Sequence, residues 1–205
     1  MPLNPTPPRT LTLAITGASG AIYAIEMLRA LAADDRVTHI DLVLSTSAMR
    51  VLAEEAAVQG RTNLVEKLLG QPSPKIHLLA HEDIGAPIAS GSYPSDGMIV
   101  LPCSMGTLAG ISHGLAQNLI ERAADVCLKE RRPLILCVRE TPLNLIHIRN
   151  MAAATEAGAV IYPCIPTLYD HPQDTTAMAR NFVHRVLLHI GLPQPGAFQW
   201  GGKSS

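Results

Sequence analysis

The stretch Leu11–Gly20, which reads LTLAITGASG, decides the fold class, because an apolar run ends abruptly in a turn rich in glycine and serine. The run Leu11–Thr16, apolar apart from Thr12 and its last residue, predicts a buried strand, and the continuously apolar run Leu134–Val138 is typical of a strand buried on both faces. The segment after the turn, Ala21–Ala33, is almost wholly apolar and long enough for a helix. This region therefore predicts a buried strand that leads through a tight turn into a buried helix.

The same alternation of strand and helix recurs along the rest of the chain. Short apolar runs predict the strands Leu11–Thr16, Ile40–Ser45, Lys75–Leu79, Gly97–Leu101, Pro133–Val138 and Ala159–Tyr162. Longer segments predict the helices Ala21–Ala33, Ala48–Gln59, Asn63–Leu69, Leu119–Arg131, Leu143–Gly158 and Thr175–Gly191. This order is typical of an α/β fold, a Rossmann-like three-layer architecture with a parallel central sheet. We expect one domain (11–191), after a flexible segment (1–10) and before a tail (192–205) that packs on a neighbouring subunit.

Composition excludes several classes of protein. Of 205 residues, 47% are hydrophobic and 16% charged, with a formal net charge of −1, so the chain is neither disordered nor suited to nucleic acid or an anionic membrane. No apolar run reaches the roughly 18 residues of a membrane-spanning helix, and the N-terminus lacks the apolar core of a secretory signal. The low charge content indicates an oligomer with large subunit contacts.

The cysteines and histidines do not form a metal-binding pattern. Four cysteines occur without C-x-x-C spacing, and eight histidines occur without an H-E-x-x-H motif. Free thiols in apolar surroundings are typical of a reducing compartment. We therefore expect a cytoplasmic protein without a structural metal.

Ligands of parallel α/β sheets bind beyond the carboxyl ends of the strands, so functional residues are expected in the loops that follow strands. The predicted loops at this edge are Gly17–Gly20, Ser45–Ser47, Pro102–Thr107, Arg139–Pro142 and Pro163–Pro172.

Two of these loops enter helices and are rich in small polar residues. The loop Gly17–Gly20 offers close backbone approach and free amides for a phosphate, but it is not the G-x-G-x-x-G motif of a dinucleotide site. The equally weighted alternative is a tight turn in which Ser19 or Thr16 caps the helix. The second loop, Pro102–Thr107, offers hydroxyls, and ordinary capping by Ser104 is the corresponding alternative. Together the two loops suggest a mononucleotide held by neutral donors.

Charged residues give signals of unequal strength. Arg139 and Glu140 directly follow a buried strand, which makes Glu140 a candidate proton carrier. The alternative is a surface salt bridge, but the polar, glycine-rich ends of the neighbouring strands favour a function. Arg122 and Lys129 lie seven residues apart on one helical face, and that spacing alone favours a solvated surface.

Taken together, several segments resemble the UbiX-type flavin prenyltransferases. The resemblance extends from about Leu11 to Trp200, and its most specific block is Asn118–Pro142. The segments that carry it are TGASGA (16–21), ASGS (89–92), PCS (102–104), NLIERAADV (118–126), KERRPL (129–134) and RETP (139–142).

This resemblance implies a flavodoxin-like Rossmann fold, a dodecamer and a defined reaction. Members of the family transfer a dimethylallyl group from dimethylallyl monophosphate to N5 and then C6 of reduced FMN, and they need no metal. The prenylated FMN then serves decarboxylases of the UbiD type, in ubiquinone synthesis or in aromatic-acid metabolism. The older family name, 3-octaprenyl-4-hydroxybenzoate carboxy-lyase, credits the decarboxylation to this protein itself.

The resemblance also implies site residues, in three groups. FMN would be bound by Gly17, Ala18, Ser19, Ser45, Ser104, Met105, Gly106, Thr107 and Arg139. The prenyl phosphate would be bound by Ser90, Gly91, Arg122, Lys129, Arg139, Tyr169 and Arg185, partly across a subunit interface. The catalytic groups would be Ser19, Glu55 and Glu140.

Two positions depart from the family pattern, and two other functions stay open. Ile84 replaces a tryptophan of some members, and Asp170 stands where histidine is frequent, which leaves the preferred prenyl donor open. An FMN-dependent decarboxylase of cysteine-type substrates would need an early catalytic histidine, whereas His39 lies before a strand, away from the ligand edge. A non-catalytic flavin-binding module would have no use for four cations beside its flavin.

Overall fold

The computed structural model describes residues 9–197, and its strands form one parallel sheet. The strands are β1 (Arg9–Ile15), β2 (Val37–Leu44), β3 (Ile76–Leu79), β4 (Gly97–Cys103), β5 (Leu134–Val138) and β6 (Val160–Ile161). The sheet order is β3-β2-β1-β4-β5-β6, and every neighbouring pair is parallel. The strand order reverses between β1 and β4, and ligands of such sheets bind outside the carboxyl ends at this reversal.

Helices cover both faces of the sheet, as the alternating pattern predicts. They are α1 (Ala21–Ala33), α2 (Thr46–Ala56), α3 (Leu64–Leu69), α4 (Met105–Ser112), α5 (Leu119–Lys129), α6 (Leu145–Glu156) and α7 (Thr175–His189), with a 3-10 turn at Pro87–Ala89. One core, which we call the α1/α7 layer, joins α1, α2, α3 and α7 to the sheet. The other core, the α4/α5 layer, joins α4, α5, α6 and the 3-10 turn to the opposite face. The predicted three-layer α/β fold is therefore confirmed.

Several predicted boundaries shift for identifiable reasons. β1 begins at Arg9, whose amide donates to the Arg36 carbonyl, so the last two residues of the predicted flexible segment belong to the sheet. β4 continues through Pro102 to Cys103 instead of ending at Leu101. Leu192, the first residue of the predicted tail, is buried in the α1/α7 layer of its own chain. Phe198 and Trp200, the aromatic residues of that tail, lie outside the described residues.

Within residues 9–197, no helix is both long enough and apolar enough to cross a membrane. The same part of the chain contains no group of three or more His, Cys, Asp or Glu side chains that could hold a metal ion. Its four cysteines are free thiols.

Candidate functional site

The loop between β1 and α1 is held by a carboxylate from α2. The Glu55 carboxylate accepts hydrogen bonds from the amides of Gly20 (2.9 Å) and Ala21 (2.8 Å), and from the Ser19 hydroxyl. The expectation that these amides are free for a phosphate is therefore wrong at Gly20 and Ala21. The alternative of a cap by Ser19 or Thr16 is also wrong, since Gly20 is the N-cap of α1 and makes no side-chain cap hydrogen bond.

The environment of Glu55 keeps its carboxylate ionised. Partial burial raises its pKa, but the hydrogen bonds from Ser19, Ala21 and Gly20 outweigh this and lower the pKa overall. The positive charge of Arg139 acts in the same direction. Glu55 is therefore a fixed negative group at the start of α1, linked by its charge to the arginine that follows β5.

Close packing explains the first glycine of this loop. A Cβ atom at Gly17 would collide with the Ser47 side chain, so a larger residue would push the β1 and β2 loops apart. Ala18, the next residue, is buried. The Ser45 side chain accepts from the Ala48 amide (3.1 Å) as the N-cap of α2, and its hydroxyl shares a hydrogen bond with Ser47 (3.1 Å).

The loop after β4 is tied to the first loop through Thr16. The Thr16 hydroxyl donates to the Pro102 carbonyl (2.7 Å) and accepts from the Ser104 amide (2.8 Å). Ser104 caps α4 by accepting from the Thr107 amide (3.4 Å), which confirms the predicted capping. Met105 is buried and can offer only its backbone, whereas a Cβ at Gly106 would meet open space.

Arg139 and Glu140 lie at this edge, but their side chains are placed differently. The Arg139 amide donates to the Cys103 carbonyl (3.1 Å), which sets the residue beside the β4 loop. Burial raises the pKa of the Cys164 thiol to about 12, and the positive charge of Arg139 acts to lower that pKa. The Glu140 carboxylate is exposed and accepts from the adjacent Thr141 amide (2.9 Å). Glu140 is therefore accessible at the edge, outside the network around Glu55.

A cavity of about 560 Å³ lies between the end of β6, the loop that follows it and α7, and we call it the α7 cavity. Its wall combines aromatic and aliphatic groups with one cation: Ile161, Tyr162, Pro163, Ile165, Pro166, Thr167, Leu168, Tyr169, Phe182 and Arg185. Phe182 packs edge-to-face against Tyr23 of α1, with ring centroids 4.9 Å apart. A Cβ at Gly20 would lie 3.0 Å from the Tyr23 ring, so Tyr23 packs between the first loop and Phe182 of the cavity wall.

The two predicted prenyl-phosphate residues Tyr169 and Arg185 both line this cavity. Burial raises the pKa of Tyr162, and the nearby Arg185 charge acts in the opposite direction. Asp170, one of the departures from the family pattern, has a buried Oδ1 atom without a hydrogen-bond partner in the described chain. Ile84, the other departure, is 58% exposed.

The remaining predicted prenyl-phosphate residues form a second group, which we call the α5 cluster: Ser90, Gly91, Arg122 and Lys129. The Arg122 guanidinium donates to the Ala89 carbonyl (3.1 Å) and pairs with Asp125 (2.7 Å). Lys129 pairs with Glu130, and a Cβ at Gly91 would collide with that pair. The interpretation of Arg122 and Lys129 as a merely solvated face is therefore wrong, because both side chains pack against the Ala89–Gly91 turn.

The α5 cluster and the α7 cavity lie in opposite layers of the fold. α5 and the 3-10 turn bury their apolar residues in the α4/α5 layer. Phe182, Val183 and Val186 of α7 are buried in the α1/α7 layer. Arg122 and Arg185 therefore belong to helices that pack on opposite faces of the sheet.

Sequence reasoning missed three aromatic residues of the site: Tyr23, Tyr162 and Phe182. Tyr162 packs edge-to-face on Phe182, with ring centroids 5.5 Å apart. Only 3% of the chain is aromatic, so a Tyr three residues after the first turn was a usable signal. The contact between α1, β6 and α7 could not be predicted from the sequence, since it joins residues that are far apart along the chain.

The comparisons with known proteins agree with this geometry. The Flavoprotein family model matches residues 3–186. The flavin prenyltransferase UbiX of Salmonella typhimurium is 46% identical over 190 residues, which cover 91% of this chain and 94% of that protein. A crystal structure of AnUbiX in complex with FMN and dimethylallyl pyrophosphate has a TM-score of 0.86 at 40% identity and covers 96% of this chain and 100% of the other.

A dodecameric FMN-dependent UbiX-like decarboxylase from Escherichia coli O157:H7 has a TM-score of 0.84 at 40% identity, with coverage of 94% and 100%. The FMN-dependent cysteine decarboxylase TvaF is a more distant neighbour, at 19% identity and a TM-score of 0.56 over 74% of this chain. At that distance the likeness extends to the fold alone.

Proposed function

Because this chain belongs to the UbiX flavin prenyltransferases of the flavoprotein family, we propose that it transfers a dimethylallyl group from a prenyl phosphate to reduced FMN. The observation that carries the proposal is the α7 cavity, an apolar and aromatic space with Arg185 in its wall, whose Phe182 ring packs on Tyr23 of α1. An apolar chain fits such a wall, and the guanidinium suits a phosphate at its end.

The donors at the carboxyl edge fit a flavin mononucleotide. We assign FMN binding to the hydroxyls of Ser19, Ser45, Ser104 and Thr107, to the backbone of Gly17, Ala18, Met105 and Gly106, and to Arg139. Bound reduced FMN supplies the electron-rich ring that accepts the prenyl group. Ser19, held by Glu55, would direct a hydroxyl towards that ring.

The chain's own contribution to the reaction is electrostatic and acid–base. Breaking the bond between an allylic carbon and its phosphate leaves negative charge on the phosphate, and fixed cations aimed at that charge lower the barrier. Arg139 and Arg185 would supply two such cations from one chain. Closing the second bond to the flavin releases a proton, and the exposed Glu140 carboxylate is our candidate acceptor. A phosphate oxygen of the product is the competing acceptor.

We further propose that each site is shared between subunits. Arg122, Lys129, Ser90 and Gly91 lie in the opposite layer from Arg185, so a second copy must supply them if all act on one phosphate. The N-terminal part of α6 and the loop before it expose Leu143, Leu145, Ile146 and Ile148 by 45–66%, an apolar surface suited to burial in an assembly. The dodecamer formed by the Escherichia coli O157:H7 neighbour supports a homo-oligomer of the same size.

Two further assignments follow from the proposed reaction. The prenylated flavin would pass to a UbiD-type decarboxylase as the consuming partner. Cytoplasmic location is supported by the four free thiols.

The test combines the purified protein with reduced FMN and dimethylallyl monophosphate or pyrophosphate under anaerobic conditions, followed by mass spectrometry of the flavin. We expect a gain of one five-carbon unit, and the faster donor identifies the preferred phosphate. The same assay is applied to Arg185→Ala, with Arg180→Ala as its matched control. Arg180 also lies on α7, but it pairs with Glu26 outside the cavity. Unmodified flavin with both donors would contradict the proposal and favour a cysteine-type decarboxylase or a binding module.

A further inference from the structure

The Ala89–Gly91 turn of the α5 cluster can offer a donor to an anion, because its acceptors are already in use. Its three carbonyl oxygens each accept a hydrogen bond: Ala89 from the Arg122 side chain (3.1 Å), Ser90 from the Tyr93 amide (3.2 Å) and Gly91 from the Arg132 guanidinium (2.6 Å). Within residues 9–197, the Gly91 amide donates no hydrogen bond. A phosphate accepts hydrogen bonds and is repelled by carbonyl oxygens, so this pattern suits it.

The way α5 ends explains how Arg132 reaches the turn. Arg131 has a left-handed backbone with a φ of 59°, and its amide donates to the Leu128 carbonyl (3.2 Å). The Arg132 amide donates to the Cys127 carbonyl (2.8 Å). These two hydrogen bonds form the Schellman motif, which reverses the chain at a helix end and usually has glycine at the left-handed position. The motif fixes the backbone of Arg132 between α5 and β5.

Two adjacent arginines differ in what their side chains do. Arg131 is exposed, and within residues 9–197 its side chain makes no hydrogen bond or ion pair. Arg132 is half-buried and joins residues 41 apart in the sequence. Its charge also acts on Glu130: the hydrogen bond from Lys129 lowers the pKa of Glu130 most, and Arg132 acts in the same direction. Arg132 therefore offsets part of the negative charge that Glu130 brings to the turn.

We propose that Arg132 is a positioning residue for the prenyl phosphate. By holding the Gly91 carbonyl, it keeps the acceptors of the Ala89–Gly91 turn occupied by the protein and leaves the Gly91 amide for the phosphate. This inference rests on the proposed function, because it takes the α5 cluster as part of the prenyl-phosphate site. The residues implied by the family resemblance do not include Arg132. The turn is not among the loops assigned to FMN, so Arg132 should not influence FMN binding.

The experiment separates binding of the prenyl phosphate from binding of FMN and from the rate of the reaction. Steady-state prenylation of reduced FMN is measured with varied dimethylallyl monophosphate, and FMN affinity is measured by titration of the full-length protein. Arg132→Met keeps the aliphatic stem and removes the donors and the charge. We expect its KM for the prenyl phosphate to rise about 10-fold, near the lower end of the effect of a hydrogen bond to a charged group.

The turn would bind the phosphate alike in the ground state and the transition state, so kcat should stay at the wild-type value, as should FMN affinity. Arg132→Lys keeps a charged donor on a long side chain and should restore most of the KM. Arg131→Ala is the matched control and should behave as wild type. If Arg132→Met does not fold, Arg132→Gln takes its place, and the same rise in KM is required of it.

Other outcomes overturn the inference. An unchanged KM for Arg132→Met shows that the turn does not need Arg132. Equal losses in FMN affinity and in KM for the prenyl phosphate show that Arg132 only supports the fold. Arg132→Lys no better than Arg132→Met shows that a charged donor is not what the turn requires. If the wild type itself forms no prenylated flavin, the proposed function fails, and this result is distinct from an active wild type with unaffected variants.

Discussion

The loops that we assign to FMN, which we call the flavin loops (Gly17–Gly20, Ser45–Ser47 and Pro102–Thr107), differ from the prenyl-phosphate residues in how far one chain completes them. Around the first loop, Glu55, Thr16 and Ser104 form hydrogen bonds that join this loop to α2 and to the end of β4 within a single chain. Apart from Arg139, the prenyl-phosphate cations are instead divided between the α7 cavity and the α5 cluster, in opposite layers. Flavin binding should therefore be a property of one subunit, whereas prenyl transfer should depend on assembly.

The largest expected effect comes from a residue that belongs to the reaction and not to flavin binding. Glu140→Gln keeps the shape of the side chain and removes the proton acceptor. We expect FMN affinity to stay at the wild-type value while formation of prenylated flavin slows by about 10²–10⁴-fold, the usual contribution of a general base. The measurements are FMN titration and mass spectrometry of the flavin over time, with Glu156→Gln at the end of α6 as the control.

A fully active Glu140→Gln enzyme would transfer the proton role to Glu55 or to the phosphate product. Loss of FMN binding in the same variant would contradict the separation of the two regions, because Glu140 would then belong to the flavin loops.

Mixing two variants tests directly whether the prenyl-phosphate cations of one site come from two subunits. Arg122→Ala and Arg185→Ala should each weaken the interaction with the prenyl phosphate by about 2–5 kcal/mol. This is the range for removing one partner of a buried charge pair at an interface, about 2–5 kcal/mol. When the two inactive variants exchange subunits, some sites regain both arginines, and part of the activity should return. Mixing Arg139→Ala with Arg185→Ala is the matched control without recovery, since one chain supplies both residues.

Mixed oligomers that form but stay inactive would place Arg122 and Arg185 in a single chain's site. Native mass spectrometry of the mixture shows whether subunits have exchanged, so the two explanations of an inactive mixture are separable.

Within the flavin loops, the charge of Glu55 should matter more than its shape. Because its folded-state pKa lies below the ordinary value of 4.5, its stabilisation is present above that pH and is lost as the pH falls through the lowered pKa. We expect Glu55→Gln to cost about 1–2 kcal/mol of unfolding free energy at pH 7, for hydrogen bonds to a charged but exposed group. The difference from wild type should shrink towards pH 3, as measured by urea titration at both pH values.

Glu54→Gln is the control for this experiment, because Glu54 lies next in sequence and, within residues 9–197, pairs only with the exposed Arg50. If the difference in unfolding free energy between Glu55→Gln and wild type were the same at both pH values, the hydrogen bonds to Gly20 and Ala21 would not depend on the charge of Glu55.

The same contrast explains what the sequence could predict. Strands, helices and the loops at the carboxyl edge follow from local apolar runs and from the glycine and proline residues that interrupt them. The fold and the position of Ser104 as a helix cap were therefore predictable. The pairing of Glu55 with Gly20 joins residues 35 apart, and the packing of Arg122 on Ala89 joins residues 33 apart. Such contacts depend on how layers meet, which periodicity does not encode. Family resemblance supplied the residues but not the layer in which each lies.

The smallest expected effect tests whether flavin binding is spread over many neutral contacts. Ser104→Ala removes one hydroxyl from the flavin loops, and a single neutral hydrogen bond contributes about 0.5–1.5 kcal/mol net. We therefore expect FMN affinity to fall only about 2- to 13-fold, by the relation of tenfold per roughly 1.4 kcal/mol. Loss of the α4 cap lowers stability by about 1 kcal/mol in addition. Ser112→Ala is the matched control, since it removes a hydroxyl at the other end of α4, where Ser112 donates to the Ala109 carbonyl (3.0 Å). Complete loss of FMN from a well-folded Ser104→Ala protein would show that one contact dominates, and the flavin loops would then resemble the prenyl-phosphate residues in depending on single groups.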